Sequence, residues 1–336
     1  MKNRFSRIKD KLLGLFSIPI FSESTHVYSD TANKPILKFD KWGNFKLVQF
    51  ADLQDGANID IKTLELMNNV LDKERPDLVI LSGDNIDGKS NTADEVKKAI
   101  SNIAEPMETR NIPWAIVFGN HDDEHCVMTK EEMMKFYMSF SCNISQIGCK
   151  TFGRIGNYNL LIHGAASDSP AFNIYMLDSG KYSIFSKYQY ITKAQINWYK
   201  DTANKLKESY KKIIPSLMFF HIPLPEFKTA YKAVPIDGIR LESESTPLIN
   251  SGLFNTAVKM GDVKGIFVGH DHVNTYTAML KGIKLGYGGS AGYAEYGSKD
   301  LQKGARVFEI NEDNLSEFTT RMIFEEEAAL KYEVIA

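Results

Sequence analysis

Five short polar motifs hold the residues able to do chemistry: Asp52-Leu53-Gln54, Gly83-Asp84, Gly119-Asn120-His121, His221 and Gly269-His270-Asp271-His272. Carboxylate, imidazole and amide oxygen are hard or borderline donors, suited to ions such as Mn, Fe or Zn, with Mg also admissible. A hydrolytic site built on two ions needs one carboxylate to bridge them, about 3.5–4 Å apart, and a water of lowered pKa. A solitary histidine says little. Here four of the seven histidines (His121, His221, His270 and His272) fall within the motifs. Together the residues describe a cage for two metal ions.

Each motif closes an apolar run: 46–50, 78–81, 114–118, 217–220 and 266–268. These runs are rich in β-branched and aromatic residues and read as short buried strands. A strand end is a rigid place to mount a site, with loop beyond it free to carry side chains. Between the first two motifs, Ile61, Leu64, Leu66, Met67, Val70 and Leu71 predict an amphipathic helix over 59–75, ended by Pro76. A second helix is expected over 92–107, capped by Asn91 or Thr92 with Glu95 closing a capping box. The first third therefore reads β-α-β-α-β, with parallel strands. Helices are expected over 131–140 and 192–210, and strands over 158–163 and 172–178. Strands near 265–268, 275–280, 283–287 and 305–310 read as antiparallel and turn-rich, and 318–336 as a terminal strand and helix.

The 336 residues have an ordinary globular composition and a formal net charge of -2, so no nucleic-acid footprint is expected. Cys126, Cys142 and Cys149 are odd in number and read as free thiols, with a Cys142–Cys149 pair as the alternative. No paired Cys/His spacing suggests structural zinc. Residues 1–11 carry five basic side chains and 12–21 are mostly apolar. That run is too short to span a bilayer, so no transmembrane segment is expected. It starts as a secretory signal does, but Asp10 interrupts it and no small-x-small site follows. The expected division is a leader over 1–40, a catalytic domain over 41–311 and a C-terminal extension over 312–336 packed on that domain. A cytoplasmic location is expected, with export by an atypical signal as the alternative.

The order D-x-(H), GD, GNH, H, GHxH resembles that of the calcineurin-like metallophosphoesterases. Within them it is most similar to the purple-acid-phosphatase-like branch that includes the Dcr2-type phosphatases. The resemblance runs from about residue 45 to 311 and takes in 82–86, 118–122, 219–225, 269–274 and 304–307. It implies a four-layer α/β/β/α sandwich with two mixed central sheets. It implies that Asp84 bridges two ions, that Asp52 and His272 belong to the first, and that Asn120, His221 and His270 belong to the second. His121 would stabilise or protonate the leaving oxygen. The implied reaction is phosphomonoester hydrolysis by in-line attack of a hydroxide shared by the ions, without a covalent intermediate. The substrate would be a small phosphate ester or a phosphoprotein. A phosphodiesterase acting on nucleotides or cyclic nucleotides is the alternative enzyme, and a phosphate-binding relative without catalysis is the alternative of another class.

The chain departs from the pattern at two places. Gln54 stands where the first motif usually has His; its amide either ligates the first ion weakly or hydrogen-bonds a coordinated water. Asp87 stands where purple acid phosphatases carry a Tyr, so no phenolate–iron colour is expected. Its spacing from Asp84 matches the GDxxD of phosphoprotein phosphatases, which implies that Asp87 orients His121. The alternative is that Asp87 caps the turn at Gly88. The run 122–125 reads as a solvated loop. The glycine-rich 286–297 segment is expected to border the pocket, with Tyr287, Tyr293 and Tyr296 there for packing, and His26 and His163 read as structural.

Overall fold

A computed structural model describes residues 34–148 and 153–329. Residues 1–33 of the leader with His26, Cys149, and residues 330–336 lie outside them. Strands within these limits are β1 (Leu37–Lys38), β2 (Asn44–Phe50), β3 (Leu78–Ser82), β4 (Trp114–Val117), β5 (Tyr158–His163), β6 (Pro170–Met176), β7 (Tyr182–Ser183) and β8 (Lys187–Tyr188). They continue as β9 (Ser216–Phe219), β10 (Ile236–Asp237), β11 (Val263–Val268), β12 (Thr277–Leu280), β13 (Ile283–Tyr287), β14 (Gly304–Asn311) and β15 (Thr319–Phe324). The helices are α1 (Ile61–Glu74), α2 (Ala93–Glu108), α3 (Lys130–Tyr137), α4 (Lys193–Tyr210), α5 (Glu226–Ala233), α6 (Leu253–Met260) and α7 (Glu325–Ala328).

One sheet has eight strands in the order β1-β5-β6-β9-β11-β13-β12-β10, and the other has five in the order β15-β14-β2-β3-β4. Period-two alternation builds three cores from these two sheets. Leu47, Ile80, Ala115 and Val117 point inward to meet Phe172, Ile174, Leu217, Phe219 and Phe267 between the sheets. The alternate residues Val48, Phe50, Val79, Leu81, Trp114 and Ile116 face outward onto Met67 and Val70 of α1, Ile100 of α2 and Met134 of α3. On the far side Tyr175, Met218, Ile266 and Val268 face Tyr199 of α4, Phe227 of α5 and Phe254 of α6. The layers are thus helix, sheet, sheet, helix, as the resemblance implied. Burying each of these aliphatic or aromatic side chains contributes about 1.5–3 kcal/mol.

Local signals set the helix limits. The Asp60 side chain accepts from the Lys62 N–H at the start of α1, and Arg75 ends it in a left-handed conformation just before Pro76. The Thr92–Glu95 capping box opens α2.

The antiparallel expectation for the later strands holds only in part. Here β11 runs parallel to both β9 and β13. The reversal sits in β12, which hairpins onto β13 at the sheet's other side. Apolar alternation marks each strand but not which neighbour it takes. Beyond residue 311, β15 pairs antiparallel with β14 and edges the five-stranded sheet. Cys126 and Cys142 are free thiols. Among the described residues no helix is long and apolar enough to cross a membrane.

Candidate metal centre

Strands β2, β3 and β4 run parallel, as do β9 and β11, and the motifs lie beyond their C-terminal ends. Leaving the sheet forces the backbone round sharply. Asp52 (φ 53°), Gln54 (φ 43°), Asp84 (φ 50°) and His270 (φ 77°) all adopt left-handed conformations. Each costs a non-glycine residue roughly 1–2 kcal/mol, and such strain collects where function needs it. The glycines of the motifs have a matching cause. A Cβ on Gly119 would stand 2.1 Å from Asp84 Oδ1. One on Gly83, itself at φ 98°, would stand 2.6 Å from His221 Nδ1.

The two sheets bring these ends together. Ligand atoms of Asp84, His221 and His270 lie within 4.8 Å of one another. His221 Nε2 is 2.9 Å from Asp84 Oδ2, yet not aligned with it for a hydrogen bond. His272 Nε2 is 3.4 Å from Asp52 Oδ1, and His221 Nε2 is 3.8 Å from the same oxygen.

Neighbouring groups hold the other atom of each side chain. His221 Nδ1 donates to the Ser82 carbonyl at 3.1 Å, and His272 Nδ1 to the Tyr296 carbonyl at 3.2 Å. Both rings thereby turn Nε2 toward the site, where it offers a lone pair once its proton has left. Asn120 Nδ2 donates to the Tyr182 hydroxyl at 3.1 Å, which leaves Oδ1 facing the site. Asp84 Oδ1 accepts from the His121 N–H at 2.8 Å. The Asp52 oxygens accept from the His270 N–H at 3.0 and 3.1 Å. What remains is a set of buried atoms without partners: Gln54 Oε1, Asn120 Oδ1, His221 Nε2 and His270 Nε2. An unsatisfied buried polar atom costs about 1–3 kcal/mol, so this set fits a cation. The buried Gln54 Oε1 suits either role open to it, ligand or partner to a coordinated water.

A family profile described as calcineurin-like phosphoesterase matches residues 45–274. The chain belongs to that family. It is similar to an Arabidopsis thaliana protein named "Probable inactive purple acid phosphatase 14", with 35% identity over 89% of this chain and 83% of that one. It is also similar to the Saccharomyces cerevisiae protein named "Phosphatase DCR2", with 32% identity over 84% of this chain and 54% of that one. Its fold matches a crystal structure titled as a dimetal phosphatase from Danio rerio, at a TM-score of 0.52 and 13% identity, over 83% of this chain and 98% of that one.

Charge at this site is set by its own residues. Burial alone would lower the His221 pKa, but the Asp84 and Asp52 carboxylates raise it from 6.5 to about 9 in the metal-free protein. Asp84 is correspondingly held well below the usual carboxylate range; burial opposes this and His221 overrides it. Burial, followed by the His221 charge, keeps His270 neutral. Cation binding must then expel the His221 proton. Calorimetric titrations at pH 7.5 in buffers of different ionisation enthalpy should show about one proton released on loading. The stability sign follows from the raised pKa. The contribution of His221 is complete below pH 6.5 and is lost as pH rises through about 9. Metal-free protein should therefore melt at progressively lower temperature across that window, and bound metal should flatten the decline.

Two residues of the loop after Asn120 correct the solvated reading of 122–125. Asp122 is fully buried. Its carboxylate accepts from the N–H groups of Asp84 (3.1 Å), Asn85 (2.9 Å), Ile86 (3.2 Å) and Gly119 (2.7 Å). It therefore fastens the Gly83-Asp84 turn to the Gly119-Asn120-His121 turn. Burial and the Asp84 charge push its pKa up to about 6. Asp122→Ala should destabilise the protein by about 3 kcal/mol or more, because several buried donors lose their acceptor; urea unfolding measures it.

Glu124 is the second correction. Its Oε2 lies 2.5 Å from His121 Nδ1. Asp87, expected there, instead accepts from the Lys89 N–H at 3.1 Å across Gly88, which is the turn-capping role. A carboxylate three residues after a loop histidine is a signal that sequence reading had available and passed over.

Tyr182 was also missed, and no motif marks it. Its hydroxyl is 3.3 Å from His121 Nε2. Burial and the Glu124 charge push that phenol up to about 12, so it is a neutral hydroxyl.

The glycine-rich segment braces the first motif: Gly292 N–H and Ser290 Oγ donate to the Asp52 carbonyl at 3.1 and 3.3 Å. Its tyrosines pack. Tyr287 donates to Asp271 at 2.7 Å, and the Tyr296 ring lies 4.0 Å from that of His272 at an interplanar angle of 6°. His163 Nδ1 donates to the Asp168 carbonyl at 2.5 Å, away from the centre.

Proposed function

We propose that this chain is a metal-dependent phosphomonoesterase that holds two ions. The observation that supports the reading is the clustering of Asp84, His221 and His270 ligand atoms within 4.8 Å, with buried atoms of Gln54, Asn120, His221 and His270 left unpartnered. Asp84 would be shared by both ions, with Asp52 and His272 on one side and Asn120, His221 and His270 on the other. Gln54 would complete the first side directly or through water. Mn, Fe and Zn suit these donors, and oxygen-rich Asp52 and Gln54 also admit Mg. When bound, the ions supply positive charge against the phosphoryl oxygens and a water of lowered pKa.

The chain's own part is positional and acid–base. Glu124 holds the Nδ1 proton of His121, so Nε2 is the atom that meets the leaving oxygen. Asp122 keeps the two turns in register, so phosphorus can be held in line between the attacking water and that oxygen. The substrate would be a phosphate ester on a small molecule or a protein side chain.

Protein stripped of metal should be inert toward p-nitrophenyl phosphate and regain turnover with Mn, Fe or Zn. Turnover that survives thorough chelation would sink the reading. Faster hydrolysis of bis(p-nitrophenyl) phosphate than of the monoester would transfer it to diesters. Gln54 in place of His, together with the word "inactive" in the plant relative's name, supports a second reading, a phosphate-binding protein without turnover. Less than one ion per chain at saturating metal would favour it.

A further inference from the structure

The β7–β8 hairpin belongs to neither large sheet; it pairs only with itself, Tyr182 opposite Tyr188 and Ser183 opposite Lys187. It is nevertheless seated on the metal centre. Lys181 Nζ lies 3.0 Å from Asp123 Oδ2. The Tyr188 ring stands edge-on to His270, with centroids 4.6 Å apart. Tyr182 is 44% exposed, yet its hydroxyl is directed into the site. It lies 3.1 Å from Asn120 Nδ2 and 3.3 Å from His121 Nε2.

A tyrosine hydroxyl has one proton and two lone pairs. One lone pair takes the Asn120 N–H, and the remaining lone pair and the proton face His121 Nε2. Glu124 already holds Nδ1, so Nε2 accepts from Tyr182 when the ring is neutral and donates to it when the ring is charged. Both ring nitrogens are then fixed, and rotation of the imidazole is stopped.

We propose that Tyr182 is a positioning residue that aims His121 Nε2 at the leaving-group oxygen. This rests on the phosphomonoesterase reading above. In the step it serves, the attacking water bonds to phosphorus while the bond from phosphorus to the leaving oxygen breaks. The electron pair stays on that oxygen, which takes the Nε2 proton out of its long contact with Tyr182; the other ring proton stays on Nδ1, facing Glu124. The attacking water's proton later recharges His121. Aim matters most where the leaving oxygen is basic. An alkoxide must be protonated as it departs, whereas p-nitrophenolate departs without help.

The test compares O-phosphoserine with p-nitrophenyl phosphate in wild-type protein and Tyr182→Phe, both loaded at concentrations set by calorimetric titration of the metal. The substitution should lower kcat on O-phosphoserine by about 10–100-fold and on p-nitrophenyl phosphate by less than about threefold, with metal affinity within about tenfold of wild type. An equal fall on both esters, or no fall on either, would overturn the proposal. Ile184→Ser at the hairpin tip, where the residue is 97% exposed, should leave both rates unchanged. Should Tyr182→Phe fail to fold, Lys181→Met loosens the hairpin from Asp123, and the same ratio is read. Wild-type protein that hydrolyses neither ester with any metal removes the function and this inference together. Wild-type turnover with an unchanged ratio in the variants removes this inference alone.

Discussion

Asp84→Asn should eliminate measurable hydrolysis, a fall of at least about 1,000-fold in kcat, and should reduce bound metal to one ion per chain or fewer. The side chain keeps its shape, and its oxygen can still accept from the His121 N–H. What it loses is the charge that both ions would share and that holds His221 protonated when they are absent. Metal-free Asp84→Asn should therefore also lose most of the pH-dependent melting between 6.5 and 9. Elemental analysis and a p-nitrophenyl phosphate assay on one preparation decide the matter. Two ions per chain with near-normal turnover would show that Asp84 does not bridge.

The candidate centre was legible because the residues proposed to hold the ions sit on the strongest sequence signals. Each closes a short, continuous apolar run that forms a buried strand, and Gly83 and Gly119 stand where any side chain would strike His221 or Asp84. Helices α1 and α2 were equally plain, since their apolar stripes and polar caps agree. The supporting residues were less readable. The run Asp122-Asp123-Glu124-His125 looks solvated because nothing apolar interrupts it, yet backbone N–H groups from two turns converge on Asp122 and bury it. A buried acid satisfied by backbone carries no periodic signature. Asp87 was expected beside His121 because spacing was allowed to stand for distance. The turn at Gly88 spends that carboxylate on Lys89 instead. Tyr182 was invisible for a further reason: it arrives from a hairpin about 60 residues away in sequence, and contact at that range is a product of topology.

His121→Ala should lower kcat on alkyl phosphates by about 100–10,000-fold while both ions stay bound. His121 contacts Asp84 through its backbone N–H, a group that alanine keeps, so the cage should survive the loss of the ring. Glu124→Gln should have a smaller effect, about 10–100-fold in kcat with KM little changed. The amide can still accept the Nδ1 proton, but it offers no charge to stabilise the imidazolium. Asp87→Asn, by contrast, should alter kcat by less than about threefold, because the asparagine oxygen can take over the Lys89 N–H. The three variants separate two designs for the same task. If the acid is set by the spacing shared with phosphoprotein phosphatases, Asp87→Asn is the damaging change and Glu124→Gln is mild. If a carboxylate one helical turn along the same loop has taken that place, the order reverses. Steady-state rates on O-phosphoserine, measured with metal content on each preparation, distinguish the two. The second order is expected because Glu124, three residues beyond His121 in its own loop, already holds the imidazole nitrogen in the metal-free fold.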